Sequence, residues 1–266
     1  MPTITDPARE LADICTQLSE GSRQNGATFL ASRFEVPEWS TEFFQIIFLF
    51  SKRADELIAI LNDLDIDDDY RQEFAGHIRS IQRTFSPDGL NNQWNHATAN
   101  YINPANVNSV KALSGLVRPL YSYPKLNAEE QADILGEVEA LLGWLKEHQL
   151  NERDFIRQAI IDGLEHFCFR LKRAGWLGWG YTVESLRDVI SAYLALERGT
   201  PDLQSAPDAE AVLRKTVACI KSVFSKVGTV RETAGDAAFM ILAYEQIVKV
   251  AQGKAPLAGL LTFAGS

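Results

Sequence analysis

The sequence predicts an all-α protein, a multi-helix bundle of about ten helices that forms one body or two closely packed subdomains. Apolar residues recur at helical spacing along nearly the whole chain, for example at Leu11, Ile14 and Leu18. Capping residues precede many of these stretches. No run alternates strictly between apolar and polar residues, as a half-buried strand would, so no sheet of consequence is expected.

Helix starts are marked by capping residues. A capping side chain followed by proline occurs at Asp6-Pro7, Ser86-Pro87 and Asn103-Pro104. Asn127 and Glu130 have the spacing of a capping box. Together with the apolar periodicity, these signals predict helices near residues 6–24, 40–62, 68–85, 87–101, 104–118, 128–149, 152–174, 183–198, 207–227 and 229–252.

The most apolar stretch covers residues 43–50, Phe-Phe-Gln-Ile-Ile-Phe-Leu-Phe. A helix that crosses a bilayer needs about 20 apolar residues, so this stretch is too short and no membrane association is expected. The prediction is the middle of a buried helix at the centre of an N-terminal core.

Two breaks suggest how the chain is divided. Prolines bracket residues 119–124, and residues 199–207 form a polar, turn-rich stretch. We therefore expect an N-terminal helical bundle over 1–122, a C-terminal helical subdomain over 123–253 and an apolar C-terminal tail over 254–266. Such a tail would dock on its own fold or on a partner.

The composition favours a folded, cytoplasmic protein. Of the 266 residues, 46% are hydrophobic and 23% are charged, which is enough apolar material for a core. The N-terminus lacks the basic start and apolar segment of a signal peptide. The three cysteines include no CxxC pair, which favours buried, reduced thiols.

The net charge of −9 is concentrated in the first half of the chain. Residues 1–150 carry 12 basic and 22 acidic side chains, whereas residues 151–266 carry 14 and 13. An acidic surface repels phosphate backbones, so broad binding of nucleic acid is not expected. The second half leaves nucleic acid open as a partner.

The acidic residues do not complete a metal site. The run Asp63–Asp69 lacks the turn glycine and the last ligand of an EF-hand. Asp68, Asp69 and Glu73 form a DDxxxE string that resembles the first metal motif of terpene synthases, but the second ligand cluster of that family is missing. The run is therefore interpreted as capping the next helix, and no metal or cofactor is predicted.

Arg71 and His77 supply an alternative function. Their R-x(5)-H spacing resembles the R-x(4–6)-H motif of helical HEPN ribonucleases. The resemblance implies that Arg71 and His77 act on a scissile phosphate, in a metal-independent ribonuclease or nucleotide-binding enzyme of HEPN-like type. The competing interpretation is a partly buried structural histidine.

The segment 170–181 is the most informative candidate for binding. Its glycines let the backbone approach another surface, and its aromatic and basic residues have the composition of a binding hot spot. The candidate binding residues are Arg170, Lys172, Arg173, Trp176, Trp179 and Tyr181. The alternative is that the aromatic residues pack in the core. We expect a core position for Trp176 and accessible rings for Trp179 and Tyr181.

The leading functional prediction is a non-catalytic helical interaction or regulatory protein, a component of a multi-protein bacterial system. It rests on the lack of a linear motif for catalysis, such as a P-loop, HExxH or G-x-S-x-G. The expected partner is another protein, bound through the segment 170–181 or the C-terminal tail.

Overall fold

The computed structural model describes residues 4–150, 154–178, 182, 185–199, 206–227 and 243–244. Over these residues the protein is all-α, as predicted. The first seven helices are α1 (Pro7–Leu18), α2 (Gly26–Phe34), α3 (Thr41–Asp63), α4 (Asp68–Arg83), α5 (Pro87–Asn91), α6 (Trp94–Asn100) and α7 (Pro104–Val117). They are followed by α8 (Ala128–Glu147), α9 (Asp154–Lys172), α10 (Ala174–Leu177), α11 (Leu186–Arg198) and α12 (Pro207–Val227). Two short strands are β1 (Ile4–Thr5) and β2 (Tyr123–Pro124).

The chain divides into two compact units. The N-terminal unit comprises Ile4–Ser122 and Gly175–Leu177. The C-terminal unit comprises Met1–Thr3, Tyr123–Ala174 and Gly178–Ser266. The predicted domains, 1–122 and 123–253, stay a prediction because a compact unit need not fold on its own. The predicted tail, 254–266, lies outside the described residues.

Four helices form the main body of the N-terminal unit: α1, α3, α4 and α7. Helix α1 packs against α3 and α7, and α4 packs against α3 and α7. The rings of Phe50 in α3 and Phe85 after α4 stack with their centroids 4.6 Å apart. The largest fully buried side chains of this unit include those of Leu11, Phe43, Phe50, Ile78 and Trp94. Burial of these side chains is the main favourable contribution to the stability of the unit.

Several helix starts follow the capping pattern of the sequence. The side chain of Asp6 accepts a hydrogen bond from the backbone N–H of Arg9 at 2.9 Å. Asn103 caps α7 in the same way. Asn127 and Glu130 form the predicted capping box at the start of α8. These side chains satisfy backbone donors that have no partner inside the helix.

The first predicted helix, 6–24, ends earlier than expected. Helix α1 stops at Leu18, and the carbonyl oxygen of Leu18 accepts a hydrogen bond from the indole Nε1 of Trp94 at 3.0 Å. A further helix, α2, then begins after the Asn25 cap. Helix α2 was not predicted from the sequence.

The predicted helix 87–101 is divided into α5 and α6. Asn92 and Gln93 lie in an extended stretch between them. The backbone N–H of Gly26 donates to the carbonyl oxygen of Asn92 at 2.9 Å. The N–H of Trp94 donates to the carbonyl oxygen of Gln24 at 2.8 Å. These bonds replace those that a continuous helix would make.

The prediction of a buried helix over residues 43–50 is wrong for three residues. Five side chains of this stretch are buried: Phe43, Ile46, Ile47, Leu49 and Phe50. Phe44, Gln45 and Phe48 are exposed instead. The stretch therefore contributes both to the core and to the surface.

The C-terminal unit has one continuous hydrophobic cluster among its described residues. Helix α9 packs against α8 and α11, and α12 packs against α8 and α11. Gly163 of α9 lies so close to Val189 of α11 that a Cβ at position 163 would come within 2.7 Å of a Val189 methyl group. A small residue at this position lets the two helices approach.

A buried arginine links the end of α8 to the start of α9. Arg157 is 5% exposed. Its Nη2 donates to Asp154 at 2.9 Å, and its Nη1 donates to the carbonyl oxygen of Leu145. Asp154 also accepts from the backbone N–H of Leu150 at 3.0 Å. Charge-assisted bonds therefore join the end of α8 to the start of α9.

All three cysteines are buried and free, as expected from the sequence. Burial raises the pKa of the Cys15 thiol to about 12 and that of Cys168 to about 11. Both thiols are therefore protonated near neutral pH, and a protonated thiol is a poor nucleophile.

Within the described residues, no helix combines the length and apolarity that a bilayer span requires.

Candidate functional site

The loop between α2 and α3 has an unusual backbone. Glu35, which ends α2, has φ 55°, and Trp39, just before α3, has φ 59°. The N–H of Ser40 donates to the carbonyl oxygen of Pro37 at 3.2 Å and closes a turn with Trp39 as its third residue. A positive φ at that position is usually taken by Gly or Asn. A tryptophan therefore occupies a strained position.

The ring of Trp39 is held by two phenylalanines of α3. It meets the ring of Phe43 edge to face at 5.6 Å between centroids and an interplanar angle of 69°. The Phe44 ring lies 5.9 Å away at 41°. Such aromatic pairs contribute about 0.5–1.5 kcal/mol each beyond the area that they bury. Trp39 is therefore fixed in place even though its side chain faces solvent.

Trp39, Phe44 and Phe48 form an exposed cluster, which we call the aromatic patch. Their exposed fractions are 45%, 52% and 66%. Phe44 and Phe48 are four positions apart on α3, so they lie one turn apart on the same face of the helix. Exposed apolar residues that occur singly are normal, whereas a contiguous cluster is typical of an interaction site.

Acidic residues accompany the patch. Glu35, Glu38 and Glu42 are exposed, and no basic residue occurs between positions 35 and 42. Asp55 is also exposed, on the same face of α3 as Phe48 and two turns further on. Lys52 is paired with Glu56 at 3.5 Å. The patch can therefore take up apolar side chains in acidic surroundings.

The spacing of the apolar residues in the sequence distinguishes this surface from the core, although both phenylalanines were predicted to be buried. The buried positions of α3 follow the helical series Phe43, Ile46, Ile47, Phe50 and Ala54. Phe44 and Phe48 fall outside that series. The same face continues to the charged residue Asp55, which marks it as the solvent side.

The structure does not bring Arg71 and His77 together. Both belong to α4, and six positions correspond to an angle of about 120° around the helix. The Nη2 of Arg71 donates to the carbonyl oxygens of Leu64 and Ile66, each at 3.0 Å, and its Nη1 pairs with Asp68. This guanidinium is therefore occupied in fixing the start of α4.

His77 is held by residues of its own unit. Its Nδ1 lies 2.8 Å from Oδ1 of Asn106, and its Nε2 lies 3.9 Å from a carboxylate oxygen of Glu73. Asn106 uses its Nδ2 to donate to the carbonyl oxygen of Tyr101 at 2.9 Å. The Oδ1 of Asn106 is thus an acceptor, which places a proton on Nδ1 of His77. The ribonuclease alternative for Arg71 and His77 stays a prediction.

The predicted basic residues of the segment 170–181 are engaged within the C-terminal unit. Nε of Arg170 lies 3.2 Å from Nε2 of His166. Lys172 pairs with Glu139 at 2.9 Å, and this hydrogen bond raises the pKa of Lys172. The guanidinium of Arg173 lies 4.2 Å from the centre of the Phe169 ring.

Of the three predicted aromatic binding residues in the segment 170–181, the structure describes only Trp176. Trp176 belongs to the N-terminal unit and is half-buried, with its ring 5.4 Å from that of Phe34 at 71°. The expected core position is therefore met in part. Trp179 and Tyr181 lie outside the described residues, so their predicted accessibility stays a prediction.

A groove of about 450 Å³ lies between α8 and α12 of the C-terminal unit. Its walls include Leu141, Trp144 and Cys219. The ammonium group of Lys215 lies 4.9 Å from the centre of the Trp144 ring. The groove is largely apolar, and its cation is already held over an aromatic ring.

The described residues hold no group of three or more His, Cys, Asp or Glu side chains that could bind a metal ion. Comparison of the chain with protein-family models, with curated proteins and with solved structures found no match.

Proposed function

We propose that this chain is a non-catalytic interaction protein, a regulatory component of a multi-protein system, and that it binds a partner protein through the aromatic patch. The observation that carries the proposal is Trp39, an exposed tryptophan held at a positive φ. The proposed binding surface is thus the aromatic patch of the N-terminal unit, in place of the segment 170–181.

Strain supports this interpretation. A non-glycine residue in the left-handed region costs about 1–2 kcal/mol. Gly or Asn at position 39 would remove most of that cost, and a polar side chain would suit the exposed position. A strained residue persists where the surrounding structure holds it, and such residues cluster at binding sites. A tryptophan at position 39 therefore lowers the stability of the fold and presents a large ring to solvent.

The residue types support binding to protein. Tryptophan is among the residues enriched at interface hot spots, which lose 2 kcal/mol or more of binding energy when truncated, about 30-fold in affinity. Trp39 is already ordered by Phe43 and Phe44. A side chain that is ordered before binding loses less entropy on association.

The engaged basic side chains of Arg170, Lys172 and Arg173 argue for the patch over the basic segment as the primary surface. Trp179, Tyr181 and the tail 254–266 stay predicted contacts and form no part of this proposal.

The test is affinity capture from extracts of the native host with three baits. These are the wild type, the double variant Phe44→Ser/Phe48→Ser, and the control Phe155→Ser. Phe155 is 72% exposed and belongs to the C-terminal unit. Its replacement by serine therefore makes the same chemical change at an exposed phenylalanine outside the aromatic patch. All three baits are first shown to have the same melting temperature.

We expect a protein that is recovered in stoichiometric amount with the wild type and with Phe155→Ser, and that is lost with the double variant. Recovery of the same proteins with all three baits would refute the role of the aromatic patch.

A further inference from the structure

We infer that the occupant of the aromatic patch is an amphipathic helix of the partner protein, with lysine or arginine beside its apolar face. This inference rests on the proposed function. It adds the shape and the charge of the occupant, which the proposed function leaves open.

The shape follows from the arrangement along α3. Phe44 and Phe48 lie about 6 Å apart along the helix axis, and Trp39 extends the same surface beyond the first turn. The three rings therefore form a narrow apolar row that runs parallel to α3. A helix that lies alongside such a row can place residues at i, i+4 and i+7 between its rings.

The length of the row limits the occupant. After Phe48, the same face of α3 continues with Ser51, Lys52 and Asp55. The apolar part therefore covers the first two turns of α3 and the preceding turn. An apolar face of about three turns on the occupant matches it.

The charge follows from the residues around the row. The stretch that carries Trp39 presents Glu35, Glu38 and Glu42 to solvent without a basic residue. At the other end of the row, Asp55 is exposed and accepts a hydrogen bond from Gln82 at 2.8 Å, and Lys52 pairs with Glu56 at 3.5 Å. Residues 4–122 as a whole hold ten basic and sixteen acidic side chains. Basic residues on the occupant would be attracted, and acidic ones would be repelled.

The same charges argue against two other occupants. We call Glu35, Glu38 and Glu42 the acidic rim. A second copy of the chain would place its own acidic rim against that of the first copy. An anionic lipid surface would be repelled by the same carboxylates. A basic amphipathic helix is the occupant that both the apolar row and the acidic rim accept.

The experiment measures the affinity of the full chain for two synthetic peptides by isothermal titration calorimetry. Both are helices of about 18 residues with leucine at i, i+3, i+4 and i+7 on one face, which is long enough to populate a helix. One carries lysine on the polar face, and the other carries glutamate at the same positions. Each peptide is titrated into the wild type, into Phe44→Ser/Phe48→Ser and into two charge variants.

The charge variants remove the same number of carboxylates at different places. The rim variant is Glu35→Gln/Glu38→Gln/Glu42→Gln. The control is Asp65→Asn/Asp67→Asn/Asp69→Asn, at exposed positions around the start of α4. From Phe48 to Asp63, the end of α3, the helix rises by about 22 Å, so the control leaves the patch untouched.

We expect the lysine peptide to bind the wild type at least tenfold more tightly than the glutamate peptide. The phenylalanine variant should lose at least tenfold in affinity for the lysine peptide. The rim variant should lose about tenfold and show a weaker dependence on salt, whereas the control should match the wild type.

Three results would overturn the inference: equal binding of both peptides, equal effects of the rim variant and its control, or dimerisation in analytical ultracentrifugation that the phenylalanine variant abolishes. Any of these leaves the proposed function standing if capture from host extracts still depends on Phe44 and Phe48. Loss of that dependence would instead remove the proposed function itself.

Discussion

The guanidinium of Arg53 donates from Nη1 to the carbonyl oxygen of Trp176 at 3.1 Å, although 123 positions separate the two residues. Its Nη2 pairs with Glu10 at 2.9 Å. Arg53 is 4% exposed. One buried cation in α3 thus binds a carboxylate of α1 and the backbone at position 176, all within the N-terminal unit.

Replacement of Arg53 by alanine should destabilise the protein by about 3–5 kcal/mol, because it takes a buried ion-pair partner away from Glu10. The measurement is urea-induced unfolding followed by circular dichroism. The double variant Glu10→Leu/Arg53→Met should recover part of the loss, since it removes the half-buried carboxylate of Glu10 together with the guanidinium. If the double variant is as unstable as Arg53→Ala, the loss comes from packing and the ion-pair argument fails.

Two adjacent residues of α3 should respond in opposite ways to the same substitution. Ile47 is 7% exposed and Phe48 is 66% exposed. Ile47→Asp buries an unpaired carboxylate and should cost about 3–5 kcal/mol, a large part of the stability of an ordinary domain. Phe48→Asp should change stability by less than about 0.5 kcal/mol. Melting curves of both variants check this, and equal destabilisation would contradict the assignment of Phe48 to the surface.

Two glycines should respond oppositely to alanine. A Cβ at Gly26 would overlap the carbonyl oxygen of Gly89, whereas a Cβ at Gly76 meets nothing within 4 Å. Gly26→Ala should cost about 2–3 kcal/mol, because backbone cannot move aside cheaply. Gly76→Ala should gain about 0.5–1 kcal/mol, because alanine restricts the unfolded chain and favours a helix. Chemical denaturation of both variants gives the sign of each change directly.

The pair Asp154–Arg157 should make stability depend on acid pH. The hydrogen bond from Arg157 is the main cause that lowers the pKa of Asp154 from 3.8 to about 2. Because this pKa is lowered on folding, the stabilisation is complete above the unfolded value near 3.8 and is lost as the pH falls toward 2. Unfolding free energies measured between pH 6 and pH 2 should show this loss, and Asp154→Asn should remove that part of the pH dependence. An identical slope in the variant would show that other groups cause it.

Most of the helices could be predicted because their evidence is local. The caps at Asp6, Asn103 and Asn127 and the apolar spacing of each helix lie within a few residues of one another. Helix α2 is shorter than the window over which helical periodicity is recognisable, and its start, Asn25-Gly26, has the sequence of a turn. The break between α5 and α6 depends on Gly26, far away in sequence, which bonds to Asn92.

The candidate site was harder to predict for two physical reasons. Seven of the eight residues in the stretch 43–50 are apolar, and composition alone does not show which of them face solvent. Phe44 and Phe48 were therefore predicted to lie in the core, although they are exposed. The basic residues near position 170 were predicted to bind a partner because of the composition of their segment. Whether they are free depends on partners such as Glu139, which bonds Lys172 from another helix. Contacts of that kind cannot be inferred from spacing within one segment.

The contrast between Trp39 and Trp94 gives the chain a built-in optical label. The indole of Trp94 is fully buried, stacks 4.6 Å from Phe29 and donates to the Leu18 carbonyl oxygen. The indole of Trp39 is 45% exposed, so water relaxes around its excited state and its fluorescence is emitted at longer wavelengths and is open to quenchers. The chain holds five tryptophans, so the emission of Trp39 is obtained as the difference between the spectra of the wild type and of Trp39→Phe. A molecule that covers position 39 would shift this emission to the blue and shield it from iodide. The side chain that we propose to bind the partner therefore also reports when the surface is occupied, without any added dye.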